Sequence, residues 1–264
     1  MTNREIVYVG YGSEKSFAKI SAEIINHSAL DKFKAPDHAL FAYLHHCARS
    51  DAGKAMMHSI PIRDAKNYLD CSQAKLRDSL NRLSSVNIEI DDKDENGKQP
   101  VCPFLDFEID DSTATLRYQF SGLLLRYMYD PKIFALLNLE TLRRFRTVEA
   151  ARLWEILTLE ERKRAVNSRS VNLTQVQMHF RFGSFKQTRV VRDPLGKTVK
   201  EFQPAPWDQF RRHTLDGAVR EINRHADFFV YAEIKSDGRG GKVRSVTFWL
   251  QDKDEHRRYA RSQR

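Results

Sequence analysis

The residues with chemical reach in this sequence are its arginines. One run reads Arg211-Arg212-His213, with Arg220 and Arg224 following at helical spacing. A second reads Arg239-Gly240-Gly241-Lys242-x-Arg244, three cations in six residues on a glycine turn. Arg143, Arg144 and Arg146 form a third group, and Lys75, Arg77 and Arg82 a fourth. A guanidinium forks onto phosphate oxygens or onto the O6 and N7 edge of guanine, where an ammonium acts only as a point charge. The chain holds 27 Arg against 17 Lys. Such groups suit a nucleic-acid duplex, some neutralising its backbone and others reading its bases.

Bond-making chemistry finds weaker candidates. His45 and His46 are adjacent, so they cannot point the same way on a helix, and a His-hydrophobe-His metal site for strand nicking is not formed. No Gly-x-x-x-x-Gly-Lys-Ser/Thr loop occurs, which excludes a P-loop ATPase. His256-Arg257-Arg258-Tyr259 imitates the end of a tyrosine recombinase without its spacing. Asp91-Asp92 and Asp110-Asp111 fall in turns and make poor nuclease metal ligands. Cys47, Cys71 and Cys102 are too few and too scattered for a disulfide framework or a zinc ribbon. We expect no catalysis, no metal and no cofactor.

Charge sharpens the picture. The 264 residues carry a net +9, but unevenly. Residues 1–132 hold 17 basic and 19 acidic side chains, a net −2, and residues 133–264 hold 27 and 16, a net +11. The positive field that attracts a polyanion belongs to the C-terminal half. No apolar run approaches the ~18–20 residues of a membrane span. The opening Met1-Thr2-Asn3-Arg4-Glu5 has no apolar signal stretch. A cytoplasmic chain with no membrane contact is expected, folded as one large domain or two small ones.

The elements that must position these cations follow from periodicity. Phe17, Ile20, Ile24 and Ile25 predict a short amphipathic helix. Pro36-Asp37 opens a helix carrying Ala39, Leu40, Tyr43, Leu44 and Cys47, ended by Ser50-Asp51-Ala52-Gly53. Pro61 starts a short helix toward Leu69. After the Asp70-Cys71-Ser72 turn, Gln73 to about Val86 places Leu76, Leu80 and Leu83 inside and Lys75, Arg77 and Arg82 outside. Two helices on a tight turn read as a helix-turn-helix. Ile88 to Ile90, Val101 to Ile109 and Thr113 to Phe120 then alternate as strands. Residues 89–111 hold nine acidic and two basic side chains, so this hairpin region makes a poor DNA wing and should face solvent or protein.

Leu123 to Leu139 predicts a bridging helix broken at Pro131, and Thr141 to Val166 one long helix bearing Arg143, Arg144 and Arg146. Ser170 to Leu173 leads to a short helix from Thr174, a plausible cap, to Phe180. Residues 183–206 read as a long loop or exposed hairpin. Trp207 to Ala226 is a strong helix, with Arg211 toward its inner side and Arg212, His213 and Arg220 outward. Phe228 to Ile234 and Lys242 to Gln251 close a hairpin, and a charged tail follows. Helix, short helix, helix, hairpin thus occurs twice. This predicts an α+β chain of two tandem winged helices at 1–135 and 136–251, with a tail at 252–264. The first is assigned dimerisation and secondary DNA contact, the second the main DNA contact.

The stretch Thr147-Val148-Glu149-Ala150-Ala151-Arg152-Leu153-Trp154-Glu155-Ile156-Leu157 resembles the first core helix of the C-terminal domain in plasmid replication initiators of the Rep-3 type. The later pattern Trp207-x-x-Phe210-Arg211-x-x-x-Leu215-x-x-Ala218-Val219-x-Glu221-Ile222-Asn223 resembles one that follows in that domain, and Val243-Arg244-Ser245-Val246-Thr247-Phe248-Trp249-Leu250 resembles the apolar strand that ends its β-hairpin. The resemblance covers about 140 to 251. The N-terminal half resembles the family in architecture, and 187–206 is a longer insertion than the family leads one to expect. The resemblance implies two winged helices binding origin direct repeats (iterons) in double-stranded DNA, without nucleotide hydrolysis. It implies origin opening by monomers, recruitment of the host initiator and replicative helicase, and repression of the chain's own promoter by homodimers. It places the protein in the bacterial cytoplasm, on plasmid or nucleoid DNA. The other reading is a winged-helix transcriptional repressor without initiator activity. In either, the DNA contacts fall to Arg211, Arg212, His213, Arg220 and Arg224 of a recognition helix in the major groove, to the wing Arg239, Lys242 and Arg244, to Arg143, Arg144 and Arg146, and to Lys75, Arg77 and Arg82 of a second such helix.

Overall fold

The computed structural model describes residues 17–27, 30, 32–50, 57–89, 101–129, 131–163, 170–174, 177, 186–192, 198–204, 206–237 and 243–253. Its first elements correct the expected amphipathic helix. Phe17–Ser21 is strand β1, and only Ala22–Ile25 is helical (α1), capped by Ser21, whose Oγ accepts from the Ile24 N–H at 3.2 Å.

A winged-helix unit follows. Helix α2 (Ala35–Ser50) leads through strand β2 (His58–Pro61) into α3 (Ile62–Leu69) and α4 (Gln73–Ser85). Asp70 ends α3 in the left-handed conformation at φ 48°, and Ser72 Oγ caps α4 from the Lys75 N–H. The short ribbon β3 (Asn87–Glu89) with β4 (Val101–Pro103) precedes β5 (Leu105–Asp110) and β6 (Thr115–Phe120). The antiparallel sheet runs β2-β6-β5. Leu76, Leu80 and Leu83 are buried as the helical spacing requires, against a T-shaped aromatic cluster of Phe33, Phe41, Phe104 and Phe120.

Two expected helices are redrawn. After α5 (Gly122–Tyr129), Phe134–Asn138 is strand β7, paired antiparallel to β1 with Phe17 opposite Asn138 and Ser21 opposite Phe134. Its burial alternates, with Ala135 and Leu137 inside and Leu136 outside. Pro131 cannot continue a helix, and the period becomes two beyond it. The long helix expected from Thr141 splits into α6 (Leu139–Leu142) and α7 (Val148–Lys163). Each has its own cap: Asn138 Oδ1 accepts from the Thr141 N–H at 3.0 Å, and Thr147 Oγ1 from the Ala150 N–H at 3.3 Å.

From α7 the pattern repeats. Strand β8 (Ser170–Thr174) ends in a reciprocal cap, Thr174 N–H to Gln177 Oε1 at 2.9 Å and Gln177 N–H to Thr174 Oγ1 at 3.2 Å. The rest of the short helix expected there lies outside the described residues. The 183–206 region contains a seven-pair hairpin, β9 (Lys186–Arg192) with β10 (Thr198–Pro204). Then come α8 (Trp207–Phe210), a π turn (Arg211–Leu215) and α9 (Asp216–His225), followed by β11 (Phe228–Ser236) and β12 (Val243–Asp252). The sheet order β8-β12-β11 matches the N-terminal β2-β6-β5: in both units the first strand joins the last.

Helix α7 joins the two. Ala150 through Leu157 are all buried, so its whole circumference is covered. It packs on β7, α1 and α2 of the first unit and on α9 and β8 of the second. Two charges lie in that buried stretch. Glu155 accepts from His38 Nδ1 at 2.9 Å and from Arg152 Nη1 at 3.2 Å, and Arg152 also donates to the Ile25 carbonyl at 2.8 Å. Burial pushes the Glu155 carboxyl up, but His38 and Arg152 outweigh it and hold it below the usual carboxylate range.

Candidate nucleic-acid interface

The C-terminal helix is built to show three consecutive polar side chains. In an uninterrupted α-helix Arg211 would lie beside Trp207, on the inner side. The π turn inserts one extra residue, so Thr214 and Leu215 are both buried while Arg211, Arg212 and His213 are all exposed. This corrects the expected inward Arg211, whose side chain is half exposed and 3.6 Å from Asp216. Arg220 and Arg224 are exposed, with Arg220 Nε donating to the Asp216 carbonyl at 3.1 Å.

The hairpin is locked to this helix by side chains the sequence pattern did not single out for a role. Asn223 acts as a strand partner: Nδ2 donates to the Val230 carbonyl at 3.0 Å and Oδ1 accepts from the Val230 N–H at 2.6 Å. Lys253 Nζ donates to the carbonyls of Asn223 and Ala226, closing the C-terminal end of α9, where the helix dipole favours a cation. At the wing, Arg244 is exposed and paired to Asp237. Arg239 and Lys242 lie outside the described residues.

The cations expected on the long helix sit instead in the turn before α7. Glu221 of α9 accepts from the Arg146 N–H and from Thr147 Oγ1, which pins this turn to α9. The His225 imidazole is held below its usual pKa by partial burial and by the nearby cations Arg224, Arg144 and Arg146, against the raising effect of Glu221. Arg144, Arg146 and Arg224 therefore form one positive edge. It stands roughly 20 Å along the helix from Arg211, at 1.5 Å per residue. Arg143 is diverted: Nη2 meets Glu140 at 2.7 Å and Nη1 donates to the Tyr68 carbonyl at 3.3 Å.

On α4, Lys75 is exposed, but the other two cations have partners. Arg82 was expected outside. Its Nε and Nη2 instead grip the fully buried Asp37 at 2.7 and 2.8 Å, and Nη2 also reaches Ser79 at 3.0 Å. A carboxylate buried without such a partner is costly, so Arg82 serves the fold. Arg77 Nη2 meets both oxygens of Asp111 at 2.8 and 3.0 Å. The acidic β5–β6 turn therefore faces α4, while Asp91-Asp92 lies outside the described residues. Among the described residues no group of His, Cys, Asp and Glu could hold a metal ion, and no helix is long and apolar enough to cross a membrane.

A family model described as initiator replication protein, WH1, matches residues 19–158, and one described as initiator Rep protein, WH2, matches residues 195–249. The crystal structure of Pi initiator protein in complex with iteron DNA is similar at 13% identity with a TM-score of 0.66, over 92% of this chain and 100% of that one. Domains 2 and 3 of RctB align at 12% identity over 82% of each chain, with a TM-score of 0.43. Among curated proteins none matches.

Proposed function

The chain belongs to the initiator replication protein family of the Rep-3 type, and on that footing we propose that it starts plasmid replication by binding iterons in an origin. The observation that carries the reading is the arginine-bearing π-turn helix, set above a wing in the second of two like units. The similarity of the whole arrangement to an initiator described with iteron DNA supports it. Arg211, Arg212, His213, Arg220 and Arg224 enter the major groove. Arg239, Lys242 and Arg244 follow the backbone, and Arg144 and Arg146 take phosphates beside the C-terminal end of α9. Lys75 and Arg77 make a second contact from α4. The units divide near 135, the first also serving dimerisation. Monomers open the origin and bring the host initiator and replicative helicase, and dimers repress the chain's own promoter. No bond is made or broken on the protein.

Footprinting of the protein on DNA from its own locus tests this across a salt series. Protection of regularly spaced direct repeats is the expected result. Protection of a single inverted repeat at the promoter would replace the initiator reading with the repressor one. Loss of all protection at physiological salt would overturn both, because phosphate contacts alone fade steeply with salt.

A further inference from the structure

The turn between β5 and β6 is fixed from within. Asp110 Oδ1 accepts from the Ser112 N–H at 3.0 Å, the Ser112 hydroxyl at 2.5 Å and the Thr113 N–H at 3.2 Å. These bonds hold the Asp110 carboxyl down to about 2. Ala114 stands in the left-handed region at φ 52°, and its carbonyl accepts from the Ile62 N–H at 2.9 Å at the start of α3. Arg117, on the same hairpin, is occupied by Glu108 and Asp110 at 3.6 and 3.9 Å. Asp111 alone among the described hairpin carboxylates reaches α4. One oxygen accepts from Gln73 Nε2 at 3.0 Å, and both accept from Arg77 Nη2.

This contact is selective in what it uses. Gln73 is the first residue of α4 and Arg77 lies one turn on, so both occupy the end of the helix that meets base edges in a helix-turn-helix. Asp111 holds Gln73 by its amide nitrogen and leaves the amide oxygen open, which fixes the amide's orientation. It holds Arg77 by Nη2 and leaves Nη1 and Nε open. Gln presents a donor and an acceptor to adenine when held in plane, and the remaining Nη1 or Nε of Arg77 donates a single hydrogen bond to guanine O6 or N7. Resting on the DNA-binding reading above, we propose that Asp111 is a positioning residue for a second base-reading pair, Gln73 and Arg77.

The test is selection from randomised duplexes, with anisotropy titrations on the selected and a scrambled duplex, for wild type, Asp111→Asn, Asp111→Glu, Arg77→Ala, the Asp111→Asn/Arg77→Ala double variant, and Asp106→Asn. Asp106→Asn removes an equal charge from the same hairpin at a site bonded to Gln119. Asp111→Asn should flatten the preference at the positions α4 meets and lower the selected-to-scrambled affinity ratio roughly fivefold to tenfold, the scale of one lost base contact. Asp106→Asn should keep that ratio, Asp111→Glu should keep more of it than Asp111→Asn, and Asp111→Asn should have a smaller effect in Arg77→Ala, where only Gln73 is left to position. An unchanged thermal midpoint separates positioning from folding. If Asp111→Asn tightens both duplexes equally, Asp111 is only a charge set against phosphate and the proposal falls. It falls too if wild type binds selectively while Arg77→Ala and Asp111→Asn keep every base preference. If wild type itself binds no duplex, the function reading has failed first.

Discussion

Arg82 and Arg212 look alike in sequence, each an outward cation on an amphipathic helix, yet their employment differs. Periodicity assigns a face, but it does not reveal a partner 45 residues away, and Asp37 takes Arg82 into the fold. Arg212 is exposed, and Arg212→Ala should cost about 1–3 kcal/mol of binding and relax base preference if it forks onto a guanine. Competition titrations against single-base variants of the protected repeat would show this. In the sequence His45 stands out only as half of an unformed metal site with His46. It is fully buried, both ring nitrogens lack a partner, and its ring lies edge-on to Phe41. Burial, followed by Arg49 and His46, lowers its pKa from 6.5 to about 3. The unfolded chain therefore binds the proton that the native ring refuses. Stability is unaffected above pH 6.5, and from there toward pH 3 it falls by up to about 1.4 kcal/mol per pH unit from this group. Urea unfolding at pH 5 and pH 7 should show a smaller pH difference in His45→Phe than in wild type.

At the scale of elements, helices with an apolar stripe and their caps were legible: α2, α4 and the Ser72 cap lie where spacing and turn residues put them. Strand β7 was not, because Leu-rich residues near a proline fit either period until pairing with β1, more than a hundred residues earlier, decides. The π turn was equally hidden, since an inserted residue leaves composition unchanged. The Asn223 bridge belongs to this scale, because it joins a helix to a sheet edge. Asn223→Ala leaves the Val230 amide and carbonyl unmatched and should cost about 1–3 kcal/mol, read as a lower denaturant midpoint. Ala114→Gly should do the opposite. It relieves a left-handed alanine and should stabilise the β5–β6 turn by about 0.5–1 kcal/mol in the same measurement, less the entropy a glycine brings.

Across the whole molecule the decisive object is α7. The sequence shows it as an apolar helix with basic residues, Arg152 among them. Only the tertiary fold reveals that neighbours cover it on all sides and that His38, from a distant helix, completes its charge balance. Glu155→Ala removes the buried carboxylate that His38 and Arg152 share and should cost about 3–5 kcal/mol. Because α7 belongs to both cores, amide exchange should quicken together in β6 and β12 rather than in one unit. The β1–β7 ribbon carries a consequence of another kind. Phe17 and Asn138 face each other at the same end of an antiparallel pair, so the chain enters and leaves the N-terminal unit side by side. Tension applied between those two residues would load the five pairs one at a time, like a zip, instead of shearing them together. Held at these points in an optical trap, the ribbon should part at low force before the helices behind it yield.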